Sequence, residues 1–148
     1  MLLDKIFIKG IESSVYHSGT LYNLPIVPTL LKDAASLIET GNAFPTIFLK
    51  NNQDIIWIEN NEDVISFIVF DKMVDEKPIC HIHFSWVNSK HRGNGIRSII
   101  QNYLETFCIK NNIFVISTQT FVKNKEIDKS YEKIGLNPVT YMRYKKLK

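Results

Sequence analysis

The chain has 148 residues, 45% of them apolar and 22% charged, which predicts one ordinary soluble globular domain spanning 1–148 with a core of its own. No apolar run approaches the roughly 20 residues that a membrane-spanning helix requires, and the N-terminus, with Asp4 inside a short apolar stretch, does not read as a secretory leader. Cys80 and Cys108 both fall inside apolar patterns, so they are expected as buried small hydrophobes of a cytoplasmic protein rather than as a disulfide.

The net charge of +3 is unevenly spread. Residues 1–88 hold six Lys and Arg against eleven Asp and Glu, whereas residues 89–148 hold twelve against four. A polyanionic ligand would meet a favourable field in the second half. Taken singly, Lys110, Lys123, Lys125, Lys129 and Lys133 are equally well explained as solvated helix and loop faces. Nucleic acid is the weaker expectation: the tail from Tyr141 to Lys148 mixes bases with aromatics, but no nucleic-acid motif accompanies it.

In chain order, residues 2–9 alternate weakly and predict a first strand. Residues 10–28, with Gly10, Gly19, Pro25 and Pro28, assign to no element. Leu30, Leu31, Ala34, Ala35, Leu37 and Ile38 predict a helix over Thr29–Thr40, with Gly41 as its stop. Thr46–Leu49 is a short apolar run of either type. Asp54–Glu59 and Val64–Phe70 predict a hairpin across the turn Asn60-Asn61-Glu62-Asp63, and Asp75–Pro78 turns the chain into a strand over 79–87. Apolar positions Ile96, Ile99, Ile100, Tyr103, Leu104, Phe107 and Cys108 then form one helical stripe, ended by Asn111-Asn112. The run Ile113–Ile116 predicts a strand buried on both faces, so that 79–87, the helix and 113–118 make a right-handed parallel crossover. A short helix over Lys125–Ile134, stopped by Gly135, and a last strand over Val139–Lys145 complete the chain. No internal repeat, linker or low-complexity tract is present.

The most informative stretch joins the 79–87 strand to the helix through Asn88-Ser89-Lys90-His91-Arg92-Gly93-Asn94-Gly95. The first amides of a helix have no intrahelical partner, the helix dipole adds positive potential there, and glycines admit a ligand close to the backbone. Such a basic strand-to-helix turn suits phosphate. It is not a Walker loop, because Ile96-Arg97 follow where Lys and Ser or Thr are needed. Nor is it a dinucleotide fingerprint, because position 98 is Ser98 rather than Gly. Without further context it is a tight turn with solvated basic residues.

Arg92-Gly93-Asn94-Gly95-Ile96-Arg97, after a strand ending in Val87, resembles motif A of the GNAT superfamily of acetyl-CoA-dependent N-acetyltransferases, which reads Gln/Arg-x-x-Gly-x-Gly/Ala. Arg97 departs from that pattern, bringing either a wider approach of the helix to the pyrophosphate or an added phosphate contact. Asn124 and, seven residues on, Tyr131-Glu132-Lys133-Ile134-Gly135-Leu136 resemble motif B of the same superfamily, with Leu136 for its Phe and Ile127 for its usual Ala. The resemblance is specific from about Val64 onward. It implies a mixed α/β (α+β) fold: a mainly antiparallel central sheet, helices on both faces and a parallel strand-helix-strand CoA-binding unit.

It also implies roles. Acetyl-CoA would be the cosubstrate, with no metal. Gly93, Asn94, Gly95, Ile96, Arg92 and Arg97 would meet its phosphates, and the backbone near Trp86 and Val87 its pantetheine and thioester carbonyl. Asn124 would help to place the pantetheine arm or the acetyl group, and Tyr131 would protonate the departing thiolate. The base must come from elsewhere, because an amine attacks only when neutral. Alternation puts His81, His83, Ser85 and Val87 on one strand face and Cys80, Ile82, Phe84 and Trp86 on the other. His81 lies eleven residues before Arg92, and the His-x-His pair resembles serotonin N-acetyltransferase, in which both histidines are implicated in proton removal. The bland alternative is two satisfied strand residues with water as base. Cys80 points away from both histidines, which argues against a zinc site; His17 and His91 have no such context.

The expected activity is acetyl transfer from acetyl-CoA to a primary amine by direct transfer in a ternary complex. The alternative is a catalytically poor GNAT-like module that binds CoA or a partner. The acceptor amine, small molecule or peptide, would be met by the Gly10–Phe44 region and by Tyr141–Tyr144. A homodimer is compatible with the resemblance, and membrane association is not expected.

Overall fold

The computed structural model describes residues 1–39, 50–61, 63–119 and 125–137. The elements in order are β1 (Leu2–Ile8), β2 (Ile11–Ser18), α1 (Val27–Glu39), β3 (Asp54–Glu59), β4 (Val64–Asp71), β5 (Ile79–Val87), α2 (Ile96–Lys110), β6 (Val115–Thr118) and α3 (Lys125–Lys133). The strands form one sheet in the order β1-β2-β3-β4-β5-β6. Every pairing from β1 to β5 is antiparallel, and β5 with β6 is parallel. The mixed α/β fold, mainly antiparallel with one parallel crossover, is therefore the one the sequence predicts. No helix among the described residues is long and apolar enough to cross a membrane.

Two cores flank the sheet. On one face Ile56, Ile58, Ile65, Ile68, Phe70, Cys80, Ile82 and Val87 pack with Ile96, Ile100, Leu104 and Cys108 of α2. On the other, Ile55, Trp57, Phe67, Val69 and Phe84 pack with Ile26 and Leu30, at the start of α1. The central strands β3 and β4 serve both cores, which is why they read as unbroken apolar runs rather than alternating ones. Helix α2 ends in a Schellman motif: Ile113 N–H donates to the Cys108 carbonyl, Asn112 N–H to the Ile109 carbonyl, and Asn112 takes φ 58°. Leu136 and Gly135 close α3 in the same way on the Tyr131 and Glu132 carbonyls.

Three expectations are corrected. The unassigned 10–28 stretch contains β2, joined to β1 through Lys9-Gly10, both with positive φ (50° and 80°), as a two-residue primed hairpin turn requires. The 113–116 run is not buried on both faces: Ile113 is buried, but Phe114 is 78% and Val115 52% exposed, because among the described residues β6 pairs on one side only, with β5. The strict alternation along 79–87 also fails. Val69 opposes Phe84 while Phe70 opposes Ile82, so His83 is the extra residue of a β-bulge. Past the bulge the faces exchange: Cys80, Ile82 and Val87 join the α2 core, whereas Phe84 and Trp86 pack on the α1 side. The predicted last strand, Val139–Lys145, and the run Thr46–Leu49 lie outside the described residues.

Candidate active site

The β5–α2 connection is a braced turn. Asn88 donates from its backbone to the Ile65 carbonyl (2.9 Å) and from its side chain to the Val64 carbonyl (3.1 Å). Its side-chain oxygen accepts from Lys90 N–H at the start of the single 3-10 turn Ser89–His91. Arg92 returns to the strand end, its Nε donating to the Val87 carbonyl at 3.1 Å. Asn94 Nδ2 donates to the carbonyls of His91 (2.8 Å) and Arg92 (3.2 Å). Gly93 and Gly95 take φ 77° and 71°. A Cβ at either would meet nothing within 4 Å, so the left-handed backbone and not crowding calls for glycine. Gly95 is the N-cap of α2 and supplies no side-chain cap, which leaves the first turn without the anion-like oxygen that a Ser or Asp cap would place there. The side chains of Ile96 and Val87 are buried in the α2 core, so these two residues can offer a ligand only their backbone. Trp86, half-buried, stacks on Phe67 with ring centroids 5.2 Å apart, and its carbonyl accepts from Ser66 Oγ at 2.7 Å.

Among the described residues, β5 pairs with β6 only as far as Ile82. Pairing with β6 covers Ile79–Ile82 against Val115–Thr118, and Thr118 Oγ1 donates to the Ile82 carbonyl at 3.2 Å. Among the described residues, 83–87 have no β6 partner in that register.

Arg97 reaches this part of β5 from the first turn of α2. Its guanidinium bonds Ser85 Oγ on β5 and lies 5.5 Å from the centroid of the Tyr131 ring on α3. Tyr131 itself is 5% exposed. Burial draws the Arg97 pKa below its ordinary value; the Tyr131 phenol beside it opposes that fall and Arg92 adds to it. The guanidinium remains cationic in any case. The Arg97 side chain thus turns inward, between β5 and α3. Ser85 was not singled out in the sequence at all. A lone Ser on a strand carries no signal until its partner is known. Asn124 lies outside the described residues.

His81 and His83 come together on the sheet face away from α2. The bulge sets their rings 4.9 Å apart at 79°, edge to face. His83 Nε2 pairs with Asp71 Oδ2 on β4 at 2.6 Å, and His81 Nδ1 with Ser117 Oγ on β6 at 2.8 Å. Burial lowers the His81 pKa, the neighbouring His83 lowers it further, and Asp71 acts in the opposite direction. A half-buried imidazole held neutral is chemically fit to accept a proton. Asp71 and Ser117 are further polar residues that the sequence reading passed over.

Elsewhere, His17 gains a context it lacked in sequence. Its Nε2 meets Asp54 Oδ1 at 2.7 Å, Lys72 holds the other carboxylate oxygen at 3.1 Å, and the imidazole packs against Phe107. Cys80 and Cys108 are free, buried and hydrogen-bonded to each other across β5 and α2. That bond, with burial behind it, pushes the Cys80 thiol up, and it draws the Cys108 thiol down. Among the described residues no three His, Cys, Asp or Glu side chains gather as a metal site.

A parallel strand-helix crossover thus carries a doubly left-handed glycine turn at the start of α2, with the buried Tyr131 ring beside Arg97 of its first turn. The family comparison is direct: residues 23–136 match the model of the acetyltransferase (GNAT) family, and the chain belongs to that family. Among solved structures, a GNAT-family acetyltransferase from Listeria monocytogenes 4b F2365 superposes with TM-score 0.65 at 15% identity, covering 89% of this chain and 90% of its own. A ribosomal-protein-alanine N-acetyltransferase from Brucella melitensis biovar Abortus 2308 gives TM-score 0.67 at 12% identity, over 91% of this chain and 99% of its own. The aminoglycoside N-acetyltransferase AAC(6')-Iy, solved with CoA, gives 0.64 at 12% identity, over 90% and 98%. At such identities these likenesses speak for the fold. Among curated protein sequences none matches.

Proposed function

We propose that this acetyltransferase moves the acetyl group of acetyl-CoA to a primary amine, as a single domain and by direct transfer in a ternary complex. The observation that carries this reading is the meeting of Arg97 with Tyr131. It joins the glycine turn, which suits a pyrophosphate, and the candidate proton donor beside Ser85 of β5. In that site the turn Arg92–Arg97 takes the phosphates on backbone amides and the Arg92 guanidinium. The β5 edge near Trp86 and Val87, unpaired among the described residues, pairs with the pantetheine amides and polarises the thioester carbonyl. Tyr131 returns a proton to the sulfur, Asn124 helps to place the arm, and His81 with His83 takes the proton from the amine. The His-x-His resemblance to serotonin N-acetyltransferase supports the last role. The neighbours named as aminoglycoside and ribosomal-protein-alanine N-acetyltransferases support an amine acceptor in general.

A second reading, a poor catalyst that binds CoA, is favoured by one observation: Arg97 fills the gap between Ser85 and Tyr131. Calorimetric titration with acetyl-CoA, beside desulfo-CoA and ATP, tests the shared step. Thiol release with a panel of arylalkylamines, polyamines, aminoglycosides and peptides then separates the two. Turnover that collapses in Tyr131→Phe while acetyl-CoA binding persists supports the enzyme. Binding without turnover in either form supports the module.

A further inference from the structure

We propose that Asp71 and Ser117 are positioning residues: Ser117 fixes His81 as the base that takes the proton from the amine, and Asp71 fixes His83 as the group that passes it to solvent. This rests on the N-acetyltransferase reading above. Its warrant is the geometry around the β-bulge. In regular alternation His81 and His83 would stand two residues apart along one face. The extra residue at 83 instead turns the rings edge to face at 4.9 Å. In register, Asp71 lies opposite His81, yet its carboxylate bonds His83, at 2.6 Å. Ser117, also in register with His81 but on the parallel neighbour, bonds His81 Nδ1 at 2.8 Å. Among the described residues, each histidine therefore has one ring nitrogen tied to a different strand and the other left for proton transfer.

The bookkeeping of protons is simple. In the tautomer the relay requires, Ser117 Oγ accepts from His81 Nδ1–H and His81 Nε2 carries the free lone pair. The ammonium N–H bond breaks and the proton moves to that nitrogen. The imidazolium so formed passes its charge to His83 Nδ1, whose cation is stabilised by the Asp71 carboxylate on Nε2. His83 and Asp71 are both open to water, with 27% and 33% of their side chains exposed, so the proton leaves there. No oxidant or further reactant is involved. Among the described residues, the titratable groups recorded against His81 are His83 on its own strand and Asp71 on β4, while β6 presents only the Ser117 hydroxyl.

The test follows the histidines themselves. NMR titration of His81 in the free protein is compared among wild type, Asp71→Asn and His83→Asn, with circular dichroism confirming that each is folded. Removing the carboxylate lowers the His81 pKa, and removing the neighbouring imidazole raises it. The acidic limb of kcat/KM, read with whichever panel amine wild type acetylates, moves the same way in each variant. Ser117→Ala lowers kcat by up to about 100-fold, the scale of a misoriented reacting group, with KM for acetyl-CoA kept, and Ser117→Thr restores it. A His81 pKa that is the same in all three proteins overturns the network, as does an acidic limb that stays put while His81 moves. Failure of wild type to acetylate any panel amine is a different result: it removes the N-acetyltransferase reading and this proposal with it.

Discussion

Replacing Arg97 with alanine should make the protein less stable and yet bind acetyl-CoA more tightly. The guanidinium sits between α2, Ser85 of β5 and the Tyr131 ring of α3. A desolvated cation over an aromatic ring is worth about 2 kcal/mol. A hydrogen bond from a charged donor adds about 1.5–3 kcal/mol. Against these stands the loss of hydration, seen in the direction of the Arg97 pKa shift, whose largest cause is burial. The net hold is then about 1–2 kcal/mol once that offset is taken. For the acyl group to lie beside Tyr131, Arg97 has to leave this position. Wild type bears that cost on binding and Arg97→Ala does not. The variant should therefore bind acetyl-CoA about 5- to 30-fold more tightly, since about 1.4 kcal/mol is tenfold. Its unfolding free energy should fall by a similar amount. Calorimetry at two salt concentrations, with urea unfolding on the same samples, reads both. Weaker binding together with a shallower salt dependence would refute the reasoning, because it would mean that Arg97 swings out to hold phosphate and gains more there than it loses inside.

Tyr131→Phe should lower kcat by about 100-fold or more, the usual worth of a placed proton donor, while the acetyl-CoA dissociation constant changes little; equal losses in both would make Tyr131 a packing residue. Gly95→Ala forces a side chain into φ 71° with free space around it, so about 1–2 kcal/mol of stability should be lost from backbone strain, measured by urea unfolding. An unchanged midpoint would mean that the turn relaxes. Both thiols should resist a disulfide reagent in the native protein and react fully in denaturant, because Cys80 and Cys108 are 0% and 2% exposed; rapid native labelling of either contradicts the packing. The His81 pKa is depressed in the fold, so the unfolded chain binds more protons below pH 6.5. Its contribution to stability is complete above 6.5 and is lost as pH falls through the lower folded value. His81→Asn should flatten the stability profile in that window, and an unaltered slope would show that His81 is not desolvated.

The strand 79–87, the start of the helix at 96 and its end at Asn111-Asn112 were legible because local chemistry sets them: apolar steps of three and four, two glycines before the first turn, an asparagine at the left-handed stop. The same holds for the Arg92–Gly95 turn, whose character depends on backbone conformation alone. Strand β2 was missed because Glu12-Ser13-Ser14 and His17-Ser18 dilute its alternation, and its burial is supplied by β1, β3 and α2. Which face each β5 residue takes was not legible either. The bulge at His83 arises from register against β4, a partner that no local pattern names. The same holds for the inward turn of Arg97, for Asp71 reaching His83 and for Ser117 reaching His81. By itself the sequence determined the elements other than β2 and the glycine turn before α2, since these depend on neighbours within one helical turn or one strand. Only the tertiary structure decided which polar groups meet, because those pairings join residues 12 to 36 positions apart through strand register and helix packing.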